Sequence, residues 1–334
     1  MPEKWETSRS YFRSSVSGTY RFSLLYTNIV DSTFADGSHS HKNQLCEEWE
    51  IAAATVAVTD TADAGTDTTT GIPVTFGGCS SLRVMPGAFF STDPVELTVR
   101  AGQYIRVAMT YRGAMLPCHP ESILPHFVRR ADGWEQTGML PVPAMVGCDR
   151  SVERRVVFLG DSITQGIGTE NNSYRHYPAV CAELLGDSYS YWDIGLGYGR
   201  ADDAASDGAW LYKARQGDVI SVCLGVNDLC RGFDAGQICD SLFKTVSALK
   251  QGDRKVLLQT VPPFDYIGPT RERWETVNRR ILRDLSGVAD AVFDNTGILG
   301  DCDDPAKAKY GGHPNARGCR LWAEALAPAL ANLL

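Results

Sequence analysis

Four short segments set a reactive or hydrogen-bonding residue beside glycine. The first is Gly160-Asp161-Ser162-Ile163-Thr164, where Ser162 offers a hydroxyl that a nearby base could turn into a nucleophile. The second is Asp193-Ile194-Gly195-Leu196-Gly197-Tyr198-Gly199-Arg200, whose alternate glycines allow a ligand to approach the backbone closely. The third, Gly225-Val226-Asn227-Asp228, carries an amide donor in Asn227. The fourth, Tyr310-Gly311-Gly312-His313-Pro314-Asn315, holds one of only six histidines, with Pro314 suited to the first turn of a following helix. Taken singly, each reads more simply as a turn or a helix cap. Taken in order, a hydroxyl, a glycine turn, an amide donor and an imidazole would converge on one rim of the fold. Two other chemistries fail on spacing. A dinucleotide fingerprint would need glycine where Arg200 stands, and would follow the first strand rather than the second. An α/β-hydrolase elbow would need Gly-x-Ser-x-Gly around Ser162, which is absent.

The elements that must position these segments change character near residue 150. Before it, Thr19–Tyr26, Glu50–Val58, Pro73–Phe76, Val95–Val99 and Tyr104–Tyr111 alternate polar and apolar residues and are bounded by Gly, Asp and Pro. Asp60–Gly71 is a polar, Thr-rich loop. That half reads as an all-β sandwich or jelly roll. After residue 150, apolar runs at Arg155–Leu159, Tyr189–Ile194, Val219–Leu224, Lys255–Thr260 and Ala289–Phe293 alternate with helical stretches at His176–Leu185, Ala201–Arg215, Gly236–Lys250, Arg271–Leu285 and Asn315–Leu333. Five strands alternating with five helices predict a parallel sheet covered on both faces. The chemistry-bearing segments follow strand ends, where such a fold places its site. The expected domains are therefore residues 1–150, β-rich, and 151–334, α/β, joined around Val142–Glu153.

The four segments resemble the four blocks of the SGNH (GDSL) hydrolase superfamily, over about residues 151–334. Gly160–Thr164 matches its Gly-Asp-Ser block, Gly225–Asp228 its Gly-x-Asn-Asp block and His313-Pro314 its histidine block. The β-rich half is similar, in architecture, to the jelly-roll domain that precedes the hydrolase domain in some two-domain carbohydrate esterases. The resemblance implies a flavodoxin-like three-layer α/β/α domain and ester hydrolysis through an acyl-enzyme on Ser162. His313 would act as general base and then general acid. The oxyanion would be held by the backbone N–H of Ser162, a backbone N–H of the glycine segment and the Asn227 amide. Gly197 is the choice within that segment, with Gly199 and the Tyr198 amide as competitors. Asp193 stands where the family often has asparagine. The larger departure is at Tyr310, where the family has the aspartate that orients the histidine. Either a backbone carbonyl orients His313, or Asp301, Asp303 or Asp304 reaches in from the preceding loop, or catalysis is weak. The resemblance points to a small acyl group, such as acetyl on a carbohydrate, as substrate, and to no metal or organic cofactor.

Composition narrows the field. A chain of 334 residues predicts about two domains. A formal charge of -8 disfavours a nucleic-acid partner or an anionic membrane. No apolar run reaches spanning length and the first residues have no signal-peptide pattern, so the expected compartment is cytoplasmic. Ten cysteines without a Cys-x-x-Cys pair read as reduced thiols rather than a disulfide framework or a zinc site. Asp36, His39 and His41 could ligate a metal but read better as a solvated loop. His119 reads better as structural than as a residue reaching the site. Trp192, Tyr174, Tyr177 and Trp210 could stack on sugar, though core packing is the usual fate of such residues. Asn171-Asn172-Ser173 fits a glycosylation sequon. Two rival functions stay open: a lipase-, lysophospholipase- or thioesterase-like enzyme, and a carbohydrate-binding protein with a degenerate hydrolase domain.

Overall fold

A computed structural model of the chain describes residues 4–31, 42–300, 308–310 and 312–334. Two compact units emerge: Met1–Val30 with Gln44–Ser151, and Asp31–Asn43 with Val152–Leu334.

The N-terminal unit is built from two antiparallel sheets. One is centred on Glu6–Arg13, Tyr104–Gly113 and Trp49–Thr59, and the other on Gly18–Thr27, which pairs with Met145–Cys148, Phe89–Ser91 and Val95–Val99. Alternation along the strands sends apolar residues from both sheets into one core, including Phe22, Leu24, Ile51, Val56, Val107 and Met109. The polar loop 60–71 is pinned to this unit by Asp67, which accepts hydrogen bonds from the Tyr11 hydroxyl at 3.0 Å and the Arg106 guanidinium at 2.9 Å.

The C-terminal unit holds a five-stranded parallel sheet. Its strands are β1 (Arg154–Gly160), β2 (Tyr189–Asp193), β3 (Val219–Cys223), β4 (Lys255–Gln259) and β5 (Ala291–Phe293), in spatial order 2-1-3-4-5. All five residues of β3, and Val156–Gly160 of β1, are buried, as expected of strands covered on both faces. The order reverses between β1 and β3. In open parallel sheets such a switch point is where a binding crevice forms, outside the carboxyl ends of the strands. The helices are α1 (Ser162–Gln165), α2 (Tyr177–Leu185), α3 (Ala201–Ala204), α4 (Ala209–Ala214), α5 (Val226–Cys230), α6 (Ala235–Leu249), α7 (Gly268–Arg280) and α8 (Ala316–Ala331).

Three elements differ from the sequence reading. The helix expected over Ala201–Arg215 is two short helices, broken where Asp207 takes φ 56°. Asn43 occupies the break, accepting from the Ala209 N–H at 3.3 Å and donating to the Ser206 hydroxyl at 2.9 Å. The helix expected from Arg271 starts at Gly268 and passes into a π-turn at Ile281–Leu285. Pro314 lies before α8 rather than in its first turn. His313–Pro314 pairs as a short antiparallel ladder with Ala308–Tyr310, and Asn315 caps the helix. No helix among the described residues is long and apolar enough to cross a membrane. No disulfide joins the described cysteines.

Candidate active site

Strand β1 delivers the chain directly into the Ser162 turn. Gly160 is required there, because a Cβ would collide with the Thr164 side chain and lie 2.8 Å from the Cys223 carbonyl. Asp161 then caps α1, its Oδ1 accepting from the Ile163 N–H at 2.9 Å. Ser162 is the first helical residue, so its own N–H has no intrahelical acceptor.

His313 arrives from the far end of the chain. Its Nε2 lies 2.7 Å from Ser162 Oγ. In the tautomer that carries its proton on Nδ1, the imidazole accepts from the hydroxyl. The ring meets Phe264 edge-on, with centroids 5.2 Å apart, and is 9% exposed. Gly168 backs it, since a Cβ there would sit 2.9 Å from His313 Cβ and 2.7 Å from the Pro314 carbonyl. Tyr310, which replaces the family's aspartate, pairs with His313 through the backbone ladder. Asp301, Asp303 and Asp304 lie outside the described residues, as do Asp36, His39 and His41.

The glycine segment forms a tight turn after β2. Leu196 donates to the Gly160 carbonyl at 3.0 Å, which fastens the turn to the end of β1. The Gly199 N–H closes the turn onto the Leu196 carbonyl at 3.0 Å and is thereby occupied. The Gly197 N–H makes no hydrogen bond among the described residues. Asn227, near the start of α5, donates one Nδ2 hydrogen to the Gly199 carbonyl at 2.9 Å. Ser162, Gly197 and Asn227 are all partly accessible.

Two carboxylates lie beneath these donors. Asp161 and Asp228 are 1% and 0% exposed. Burial pushes Asp161 up to about 7, with the Asp228 charge adding to the rise. Burial likewise pushes Asp228 up to about 6, against two backbone N–H groups that favour its ionised form. Asp193 accepts from the Gly195 N–H at 2.8 Å and lies 3.3 Å from His176 Nε2, which braces the start of the glycine segment.

The aromatic candidates divide. Tyr177 is fully buried, bonded to Thr164 Oγ1 at 2.8 Å and stacked on Trp322 at 4.4 Å. Trp210 is buried and donates to the Ile194 carbonyl at 2.8 Å. Both are core residues rather than sugar platforms. Trp192 is half-buried within β2, and Tyr174 packs obliquely against His176 at 6.5 Å. His119 belongs to the N-terminal unit, where its N–H donates to the Gly138 carbonyl at 3.1 Å. Sequence reasoning gave no weight to Asp161, Gly168, Asp228 or Phe264. The first and third are spelled out in the motifs, but a burial state has no local signature. Among the described residues, no group of three or more His, Cys, Asp or Glu could hold a metal ion.

Residues 158–321 match the family described as GDSL-like Lipase/Acylhydrolase family. No curated protein matches the chain. Among solved structures, a family two carbohydrate esterase from Clostridium thermocellum in complex with cellohexaose is 17% identical, covering 99% of this chain and 92% of that one, with a TM-score of 0.44. A putative GDSL-like lipase from Bacteroides ovatus is 12% identical over 98% of this chain and 83% of its own, with a TM-score of 0.45. A putative lipolytic protein of the G-D-S-L family from Desulfitobacterium hafniense is 18% identical over 53% of this chain and 99% of its own, with a TM-score of 0.44.

Proposed function

Because its C-terminal unit belongs to the GDSL-like lipase/acylhydrolase family, and the protein is thus a hydrolytic esterase, we propose that Ser162 and His313 are its nucleophile and base. Ser162 Oγ attacks the ester carbonyl carbon while its proton passes to His313 Nε2. The carbonyl oxygen takes up the electron pair and becomes an oxyanion. The N–H groups of Ser162 and Gly197 and the second Nδ2 hydrogen of Asn227 receive it. Such preset donors are typically worth a factor of about 10² to 10³ each in turnover. Collapse of the intermediate expels the alcohol, which takes the proton back from Nε2. Water then repeats the sequence on the acyl-enzyme and releases the acid. We read the imidazole as oriented by a backbone carbonyl, since Tyr310 stands where the family carries its aspartate.

The observation that carries this reading is the 2.7 Å contact between Ser162 Oγ and His313 Nε2. The substrate class rests on architecture. A β-rich unit ahead of the hydrolase unit resembles the layout of two-domain carbohydrate esterases and favours a small acyl group, acetyl above all, on a glycan. The jelly-roll reading of that unit belongs to the same proposal.

Short-chain p-nitrophenyl esters test it. Acetate should turn over fastest. Ser162→Ala and His313→Ala should each lose at least about 10³-fold in kcat. Asp301, Asp303 and Asp304→Asn should stay active. Absence of Ser162-dependent turnover at every chain length would sink the catalytic assignment. Loss of turnover in one aspartate variant would replace the dyad by a triad.

A further inference from the structure

We propose that Asp228 is a positioning residue that holds the oxyanion donors in register by clasping the segment between them. The inference rests on the esterase reading above and names a part of that site the reading does not use. Asp228 Oδ2 accepts from the Ala201 N–H at 2.9 Å, and Oδ1 accepts from the Asp202 N–H at 3.3 Å. Those two groups open α3, immediately after the turn that presents Gly197. Its neighbour Asn227 holds the other end of the same stretch, donating to the Gly199 carbonyl at 2.9 Å. Two consecutive residues of α5 therefore grip Gly199–Asp202 at both ends, one by a carbonyl and one by two N–H groups.

The turn needs an outside restraint. Tyr198 is held at φ 59°, a left-handed conformation that costs a non-glycine residue free energy. It persists only where the surroundings over-determine it. The first end of the turn is tied to β1 by the Leu196 N–H on the Gly160 carbonyl, and the Gly199 N–H closes it onto the Leu196 carbonyl. Helix α3 is four residues long and cannot serve as an anchor by itself. A carboxylate meets the requirement where an amide would not. Adjacent N–H donors call for two acceptor oxygens, and an ionised acceptor makes the stronger bonds. The far end of the stretch between the Gly197 N–H and α5 is thus held by one buried carboxyl group that touches no substrate.

The test measures kcat and KM on p-nitrophenyl acetate, with active sites counted by fluorophosphonate titration. Wild type is compared with Ser162→Ala, Asn227→Ala, Asp228→Asn and the Asp228→Asn/Asn227→Ala double variant. Asp228→Asn should lower kcat per titrated site about 10- to 100-fold, with KM within about threefold. The double variant should be little worse than the poorer single one, because both act on one donor geometry. Ala201→Pro approaches the clasp from the other side. It removes one donated N–H at the first helical position, where proline suits the helix, and should show the same kcat-selective loss. A kcat within twofold of wild type in both Asp228→Asn and Ala201→Pro would overturn the role. So would losses that multiply fully with Asn227→Ala. Wild type without Ser162-dependent turnover would instead remove the esterase reading, and is told apart by Ser162→Ala alone.

Discussion

Asp161 precedes the proposed nucleophile, and its Oδ2 is buried with no hydrogen-bond partner among the described residues. Asp228 faces it from α5, with Cys223 at the end of β3 and Cys230 on α5 also within its field. Its carboxyl is raised from an ordinary 3.8 to about 7. Between these values the unfolded chain has lost the proton and the folded chain keeps it. Stability from this group is therefore full below about pH 4 and is lost as pH rises toward 7. Asp161→Asn keeps the cap to Ile163 and cannot ionise. It should be more stable than wild type at pH 8, by up to about 4 kcal/mol, and indistinguishable near pH 4. Urea unfolding at both pH values checks this, and an equal gain at both would refute it. Sequence made Ser162, Asn227 and His313 legible because their types and order are the chemistry. It left Asp161 and Asp228 unweighted because desolvation depends on packing from other elements. Gly168 and Phe264 escaped for the same reason, as they act on His313 across about 145 and 49 residues of chain.

At the scale of elements, the parallel strands were the most legible part, since burial on both faces leaves apolar runs at β1, β3 and β4, broken only by Ser221 in β3. Short helices were not. Helices α1 and α5 span four and five residues, too few for any periodicity. The break between α3 and α4 depends on Asn43, which is distant in sequence. Helix α8 shows what an end can control. Asn315 Oδ1 accepts from the Arg317 and Gly318 N–H groups, both at 3.1 Å, and His313 lies two residues upstream. Asn315→Ala should cost about 1 kcal/mol of stability. It should also lower kcat several-fold, because the helix start fixes the path of the histidine segment. Denaturation and steady-state kinetics on the same preparation separate the two effects. A stability loss with unchanged kcat would detach the cap from the site.

The whole chain does not divide into two contiguous halves. Asp31, Lys42 and Asn43, which precede most of the β-rich unit in sequence, belong to the C-terminal unit. Lys213 on α4 pairs with Asp31, at side-chain exposures of 6% and 7%. Lys42 bonds Asp202 of α3. Removing one partner of a buried pair strands the other charge, so Asp31→Ala should cost about 3 to 5 kcal/mol. Replacing both with apolar residues, as in Asp31→Leu/Lys213→Met, should recover most of the loss in a urea titration. No recovery would show the segment to be held by something other than this pair. The crossing leaves no mark in the sequence, because residues 31–43 are mostly small and polar and read as a surface loop.

That crossing bears on how such a protein can change over generations. A recombination event at the codon for residue 151 would deliver a hydrolase unit with a lysine buried for an aspartate encoded on the other parent. The β-rich half and the hydrolase half must be inherited together.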